Sequence, residues 1–241
     1  MQEITSYLTQ NGFERFSPKA VLFDMDGVLY DSMPYHAIAW EESMKQFGIR
    51  MSKEDAYLTE GQKGIDTIKQ MMREQQNRII DDEQAMAMYE EKARIFHQLA
   101  QQPRIFDGVH RLMQCITDSG MKCIVVTGSA QRLLIDRLSK DFAPYITPDH
   151  IVTAFDVAHG KPAPDPYLAG LKRAGNLLPC EAIVVENAPL GVKAGVAARI
   201  FTIAVNSGPL PDTALQDAGA NVVYQKISEI ADNWNLFTTN S

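Results

Sequence analysis

The 241-residue chain is poor in cysteine and shows no cluster of basic residues. Its three cysteines are scattered, form no CxxC pair and have no Cys/His metal spacing: they are Cys115, Cys123 and Cys180. This pattern excludes a zinc site built on thiolates. The formal net charge is −7 and no basic stripe is visible, so nucleic acid is not expected as a partner.

Long apolar runs are also missing. No stretch approaches the ~20 apolar residues that a membrane-spanning helix requires. The N-terminal segment MQEITSYLTQNGFERFSPK is polar, and it lacks both the basic start and the apolar centre of a signal peptide. These absences predict a cytoplasmic protein without a membrane partner. We expect it to be a monomer or a weak dimer.

Short apolar runs do recur along the chain, and they predict the buried strands of a parallel sheet. The first is KAVLFD, which ends in the carboxylate of Asp24. Four more runs and a weaker sixth follow at 122–127, 150–155, 182–186, 200–205 and 221–224. Helical patterns lie between most of them, for example over 108–120 and 164–175. The alternation predicts right-handed βαβ crossovers and an α/β fold with a doubly wound (Rossmann-like) parallel sheet.

One long interruption separates the first strand from the second. Between residues 33 and 104 no convincing strand is found, and Met-, Gln- and Glu-rich helical stretches predict three or four helices that form an inserted small cap domain. The methionines are expected to fill its core. The predicted division is a discontinuous core over 19–31 and 105–241, a helical cap over 32–104, and an N-terminal extension over 1–18 with one short helix ended by Ser17-Pro18.

Polar residues follow four of the predicted strands, at the sheet edge where ligands of open α/β sheets bind. They are Asp24-Met25-Asp26-Gly27, Thr127-Gly128-Ser129, Gly160-Lys161-Pro162 and Glu186-Asn187. Each alone has an ordinary interpretation, as a turn, a loop, a surface lysine or a helix cap. A calcium loop is excluded, because the position that should supply its third ligand is Val28. Four such signals, in this order, predict a single functional site.

The segments FDMDGVLYDS, VVTGS, GKPAPDPYL and VVENAPLGVKAG carry a family resemblance. Over roughly residues 19–225 the chain resembles the haloacid dehalogenase superfamily, in its β-phosphoglucomutase-like subfamily with a small helical cap. The resemblance implies magnesium-dependent phosphoryl transfer to or from a small phosphorylated compound. Asp24 would be the covalent nucleophile, and Asp26 would protonate the leaving oxygen and then activate water.

The same resemblance implies the remaining roles. Thr127, with the neighbouring N–H groups of Gly128 and Ser129, would hold phosphate oxygens, and Lys161 would neutralise charge. Mg²⁺ would be held by the Asp24 carboxylate, the Asp26 carbonyl and the turn at Glu186-Asn187. The family usually has Glu-Asp in that turn, so Asn187 removes one negative charge. Whether Glu186 binds the metal directly or through water stays open.

The choice among reactions rests on a few positions. Dehalogenation needs no second aspartate, so Asp26 favours phosphate chemistry. A non-catalytic binding module is disfavoured, because the nucleophile, Asp26 and Lys161 are all present. In mutases of this subfamily a basic cap segment holds a second phosphate. The matching stretch here is LTEGQKG, in which Glu60 and Gly64 occupy the basic positions and Lys63 compensates in part. His36 lies elsewhere, in the hinge segment that follows the first motif, and does not decide between the reactions. Hydrolysis is therefore expected, with a mutase as the alternative.

Glu60 is the predicted specificity residue. We expect it to point from the cap into the active site and to select a small, highly charged substrate. Some pyrophosphatases of the subfamily carry a cap glutamate of this kind, so the resemblance favours inorganic pyrophosphate over a small sugar phosphate. The competing interpretation is a solvated residue in a Gly-flanked turn.

Overall fold

The computed structural model describes residues 2–129 and 132–238, so the end of the predicted core range, 239–241, lies outside it, as do 130–131. Six strands form one parallel sheet: β1 Ala20–Phe23, β4 Lys122–Val126, β5 Ile151–Val152, β6 Ala182–Glu186, β7 Phe201–Val205 and β8 Val222–Tyr224. Their order is β5-β4-β1-β6-β7-β8. The predicted doubly wound parallel sheet is confirmed.

Helices cover the sheet and form the insertion. They are α1 Gln2–Asn11, α2 Met33–Gln46, α3 Lys53–Leu58, α4 Gly64–Gln76, α5 Asp82–Leu99, α6 Val109–Asp118, α7 Arg132–Asp141, α8 Asp165–Gly175, α9 Pro189–Ala197, α10 Asp212–Asp217, α11 Ile227–Asp232 and α12 Asn235–Thr238. Within the described ranges, none of them is long and apolar enough to cross a bilayer.

Side chains alternate between the two faces of the sheet, as the pleat requires. On β1, Val21 and Phe23 join the apolar cluster that includes α1, α6 and α11. Ala20 and Leu22 point the other way, into the cluster with α8 and α9. Both faces of the central strand are therefore dry, which explains the continuous apolar runs of the sequence.

The insertion, residues 33–99 with helices α2 to α5, has an apolar core of its own. Met44, Met71, Met72 and Met88 are buried in that core, as predicted. Two short strands, β2 Tyr30–Asp31 and β3 Arg104–Ile105, pair antiparallel where the chain enters and leaves the insertion. Each has two residues, too few to produce a recognisable pattern in the sequence.

Two predictions of secondary structure were wrong in extent. The run at 150–155 forms a strand only over Ile151–Val152, because the Asp156 carboxylate accepts hydrogen bonds from Thr153 N at 2.7 Å and Oγ1 at 2.8 Å and turns the chain. The first helix ends at Asn11, before Gly12 at φ +69°, and not at Ser17-Pro18. Its Tyr7 is buried in the core cluster, so this segment packs on the sheet.

Candidate active site

Three of the predicted polar segments meet at the carboxyl edge of the central strands. Asp24 follows β1, Thr127 follows β4 and Asn187 follows β6, and these strands lie side by side. Asp24 and Thr127, together with residues of the insertion, line a cavity of about 60 Å³. Of the predicted site residues, those that line it are Asp24, Asp26, His36, Glu60, Thr127, Gly128 and Ser129.

Lys161 is buried beside Asp24, with 1% of its surface exposed. Its ammonium donates to Asp24 Oδ1, to Glu186 Oε1 at 2.6 Å and to the Val126 carbonyl at 3.2 Å. Burial alone would lower the pKa of Lys161, but the charges of Asp24 and Glu186 raise it above its ordinary value. Lys161 therefore supplies a permanent positive charge against Asp24.

Glu186 holds that lysine in place. Its Oε1 also accepts from the Tyr167 hydroxyl at 2.7 Å, and its Oε2 accepts from the backbone N–H groups of Asn187 at 3.0 Å and Ala188 at 3.2 Å. A carboxylate offers about four acceptor positions, so these contacts use all of them. In this arrangement Glu186 has no acceptor position left for a metal ion. This disfavours direct binding, which the sequence had left open against binding through water.

Asp26 is oriented by residues that precede and begin the insertion. Its Oδ1 accepts from Ser32 Oγ at 2.5 Å and lies 3.1 Å from His36 Nε2. His36 Nδ1 is 2.6 Å from Lys92 Nζ. Because an ammonium can only donate, Nδ1 accepts and Nε2–H donates to Asp26. Burial raises the pKa of Asp26, yet His36 and Ser32 bring it below its ordinary value, so Asp26 is held as a carboxylate.

Lys92 was not recognised from the sequence. It is 3% exposed, and its ammonium lies 5.0 to 5.7 Å from the ring centroids of Trp40, Tyr89 and Phe96. Burial lowers the pKa of Lys92 to about 7, against the opposing charge of Asp26. A signal did exist, since Lys92 interrupts the buried stripe of α5 formed by Ala85, Met88, Ile95 and Phe96.

Glu60 extends from the loop after α3 to the core. It is 9% exposed, and its Oε1 accepts from Asn187 Nδ2 at 2.9 Å. Glu60 is therefore not the solvated turn residue of the competing interpretation. Burial, followed by the charge of Asp24, raises the pKa of Glu60 well above its ordinary value. Asn187 lies against Gly27, where a Cβ would be 2.0 Å from Nδ2, so only glycine allows this approach.

The buried charges of the site are unequal. Burial raises the pKa of Asp24 to about 8; the charge of Lys161 opposes this rise, and the charges of Glu186 and Asp26 add to it. Two buried lysines share the site with four buried carboxyl groups, those of Asp24, Asp26, Glu60 and Glu186. The raised pKa values of Asp24 and Glu60 show that the site lacks positive charge, so a bound cation would favour their ionised forms.

The oxygen atoms present fit a hard divalent cation. Asn187 Oδ1 is buried and has no hydrogen-bond partner within the described part of the chain, which is the expected state of a ligand oxygen without its ion. The described ranges contain no group of three or more His, Cys, Asp or Glu side chains placed to hold a metal. A cation here would therefore need amide and backbone oxygens together with water or substrate, a set typical of Mg²⁺.

The loops of the core and the insertion pack tightly over the cavity. Thr127 Oγ1 accepts from Ser129 N at 2.9 Å. A Cβ at Gly128 would lie 2.5 Å from the Gly61 carbonyl, and one at Gly61 would lie 2.9 Å from Lys161 Cδ. The insertion is thus closed on the core.

Lys63 does not line the cavity. Its ammonium donates to the backbone carbonyls of Val157 at 2.6 Å and Ala158 at 2.9 Å. The expectation that Lys63 supplies a charge to the substrate is not met in this arrangement. The residue instead ties the loop after α3 to the core loop that precedes Lys161.

Comparison with known proteins agrees with this geometry. Residues 21–205 match the family model of haloacid dehalogenase-like hydrolases. Hexitol phosphatase A of Escherichia coli is 31% identical over 189 residues, which cover 78% of this chain and 83% of that protein. A phosphorylated carbohydrates phosphatase of Thermotoga maritima is 28% identical, with 84% and 92% covered.

A solved structure extends the match to nearly the whole chain. A Bacteroides vulgatus protein, provisionally described as a β-phosphoglucomutase, superimposes with a TM-score of 0.94 at 44% identity and covers 99% of this chain and 96% of its own. The match includes the insertion as well as the sheet. The chain therefore belongs to the haloacid dehalogenase-like hydrolase family, in its β-phosphoglucomutase-like branch.

Proposed function

We propose that the chain is a magnesium-dependent phosphohydrolase that forms an aspartyl-phosphate on Asp24 and acts on a small phosphorylated sugar or polyol. The observation that carries the proposal is the Asp24 carboxylate, which lines the cavity with Lys161 bound to Oδ1 and with Asp26 two residues away. The names of the two phosphatase relatives support an enzyme of the phosphatase type. They also favour a phosphate bonded to a carbohydrate.

The reaction takes place in two displacements. An oxygen of Asp24 bonds to phosphorus while the bond from phosphorus to the leaving oxygen breaks. Asp26, a carboxylate in the arrangement described above, must take up a proton when substrate binds, and it gives that proton to the leaving oxygen. Water then attacks phosphorus, Asp26 takes its proton, and the bond to Asp24 breaks to release inorganic phosphate. Lys161 balances the charge at Asp24 throughout.

Mg²⁺, when bound, would neutralise phosphoryl oxygens and relieve the repulsion among the carboxylates. The Asp24 carboxylate, the Asp26 carbonyl and Asn187 Oδ1 are the groups that would hold it. Asn187 is poised for this role, because Glu60 accepts from its Nδ2 and leaves Oδ1 to the ion.

The insertion acts in this proposal as a cap that opens for substrate. The cavity of about 60 Å³ is far below the ~300–1,000 Å³ of typical ligand pockets. Substrate therefore fits only when the loop after α3 moves away from the core, and its return would exclude bulk water.

Asp26→Asn is expected to lower turnover of an alkyl phosphate by about 10²–10⁴-fold, the usual contribution of a general acid–base group. Acetyl phosphate, whose leaving group needs no proton, should lose far less in single-turnover measurements of phosphoenzyme formation. Equal losses for both substrates would contradict the assigned role.

A phosphomutase is disfavoured by the contacts of the cap, although a β-phosphoglucomutase is the name given to one close structural neighbour. A mutase must hold a second phosphate within the closed site. Here Glu60 presents a carboxylate to the cavity, and Lys63 is bound to backbone carbonyls. Hydrolysis demands no such second anion site.

Inorganic pyrophosphate is a second candidate, on the basis of one contact. Glu60 reaches Asn187, so a metal-bridged diphosphate would find a carboxylate beside its metal. The relatives described above give it no support, since their names refer to carbohydrate phosphates. A panel of pyrophosphate, hexose phosphates, polyol phosphates and β-glucose 1-phosphate with a bisphosphate primer, compared by kcat/KM with and without Mg²⁺, distinguishes the three activities.

Glu60→Ala should lower kcat/KM for the preferred substrate by about 10- to 1,000-fold, the scale of one lost charged contact. Hydrolysis of p-nitrophenyl phosphate should change much less. Glu54→Ala, which removes an exposed carboxylate from α3 of the same insertion, is the matched control and should leave both values near wild type. An equal effect of Glu60→Ala on both substrates would mean that Glu60 does not determine specificity.

A further inference from the structure

The insertion forms the roof of the cavity, and part of this roof is aromatic. Trp40 and Tyr89 line the cavity together with Lys92, and the core contributes Asp24 and Thr127. The Trp40 and Tyr89 ring centroids are 6.2 Å apart at an interplanar angle of 55°. A leaving group bonded to a phosphate on Asp24 would share this cavity with the two rings.

The Tyr89 ring is seated on Gly64. A Cβ at position 64 would lie 2.2 Å from Tyr89 Cε2 and 2.3 Å from Cδ2, so the ring uses the space that any larger residue at this position would take. The backbone of α4 blocks the ring on this side and Trp40 lies near it. The ring is therefore a fixed wall in the closed state.

Little room remains between this wall and the nucleophile. A volume of about 60 Å³ corresponds to roughly four to six water positions. That is about the space of a phosphoryl group alone, so any phosphate ester displaces the insertion from the core to some extent. A six-carbon leaving group would displace it further than a three-carbon one, because the Tyr89 ring is backed by Gly64 and cannot give way.

The polar groups at the roof also favour a small leaving group. Lys92 is the one ammonium among the described residues that line the cavity, and it is engaged with His36 Nδ1 at 2.6 Å. Glu60 adds a carboxyl group and no positive charge. Neither group is placed to attract a long or distally anionic substrate past the ring.

We infer that Tyr89, seated on Gly64, is a specificity-determining residue that sets the upper size limit of the leaving group and so directs the enzyme to short-chain phosphates. This inference rests on the proposed phosphatase activity. It predicts that wild type hydrolyses glycerol 3-phosphate with a higher kcat/KM than glucose 6-phosphate or sorbitol 6-phosphate.

The test is a graded series at one position. Tyr89→Ala should raise the ratio of kcat/KM for glucose 6-phosphate to that for glycerol 3-phosphate by at least about tenfold, the scale of pocket-size discrimination. Tyr89→Val should give an intermediate increase and serves if the alanine variant does not fold. Tyr89→Phe keeps the ring on Gly64 and should leave the ratio at the wild-type value.

The outcomes separate the two claims. Mg²⁺-dependent turnover with an unchanged ratio in Tyr89→Ala and Tyr89→Val would overturn the size limit and leave the phosphatase intact. Equal kcat/KM values of the wild type for glucose 6-phosphate and glycerol 3-phosphate would also overturn the size limit. A wild type that hydrolyses no phosphate compound of the panel with Mg²⁺ would overturn the proposed function and this inference with it.

Discussion

Asp24→Asn is expected to reduce Mg²⁺-dependent turnover by at least about 10³-fold, the order of loss when a covalent nucleophile is removed. An amide cannot form the acyl phosphate, and among the described residues no other carboxylate takes the place of Asp24 beside Lys161. Asp26 is bound to Ser32 and His36, and Glu186 has its acceptor positions filled. Steady-state hydrolysis of p-nitrophenyl phosphate with and without Mg²⁺ gives the measurement.

The fold of this variant should survive. Asparagine is isosteric with aspartate, and its Oδ1 can still accept from Lys161. A thermal unfolding midpoint close to that of wild type confirms that the loss is chemical. Activity within tenfold of wild type in a folded Asp24→Asn protein would remove the covalent mechanism.

Lys161→Met is expected to abolish activity and to destabilise the protein. The substitution keeps a long apolar chain but leaves the buried carboxylates of Asp24 and Glu186 without their shared cation. Loss of one partner from a buried ion pair typically costs about 3–5 kcal/mol. A bound cation would offset part of that cost.

The measurement combines urea unfolding with kinetics. We expect a lower free energy of unfolding, partly restored by Mg²⁺, and turnover at least about 10³-fold below wild type, since phosphoryl transfer depends mainly on positioning and on neutralising negative charge. Lys172→Met, at an exposed lysine on α8, is the matched control and should show neither effect. Wild-type stability in Lys161→Met would contradict the buried charge network.

The central sheet and the core side of the site could be predicted because both rest on local patterns. Strands buried on both faces leave continuous apolar runs, as in β1 and β6, and parallel strands bring the residues after them to one edge. That is why Asp24, Thr127 and Asn187 were recognised together. The length of β5 was overestimated because Thr153 and Asp156 form a turn within an apolar run.

The part of the site that the insertion contributes was harder to predict, because its residues act through tertiary contacts. Lys92 has no motif, and only the fold brings it to His36, 56 positions away. The contact between the Tyr89 ring and Gly64 forms only because α4 packs on α5, so neither segment alone predicts it. Nothing in the sequence around Lys63 indicates that its ammonium binds the carbonyls of Val157 and Ala158.

The covalent intermediate is the claim on which the proposed mechanism depends most. It is tested by mixing the enzyme with acetyl phosphate and Mg²⁺, quenching within the first turnover, and reducing the acyl phosphate with borohydride before peptide mass spectrometry. The mechanism predicts that the peptide containing Asp24 carries homoserine at that position, and that no reduction product forms in Asp24→Asn. Turnover without a reduced residue, or reduction at a different carboxylate, would contradict it.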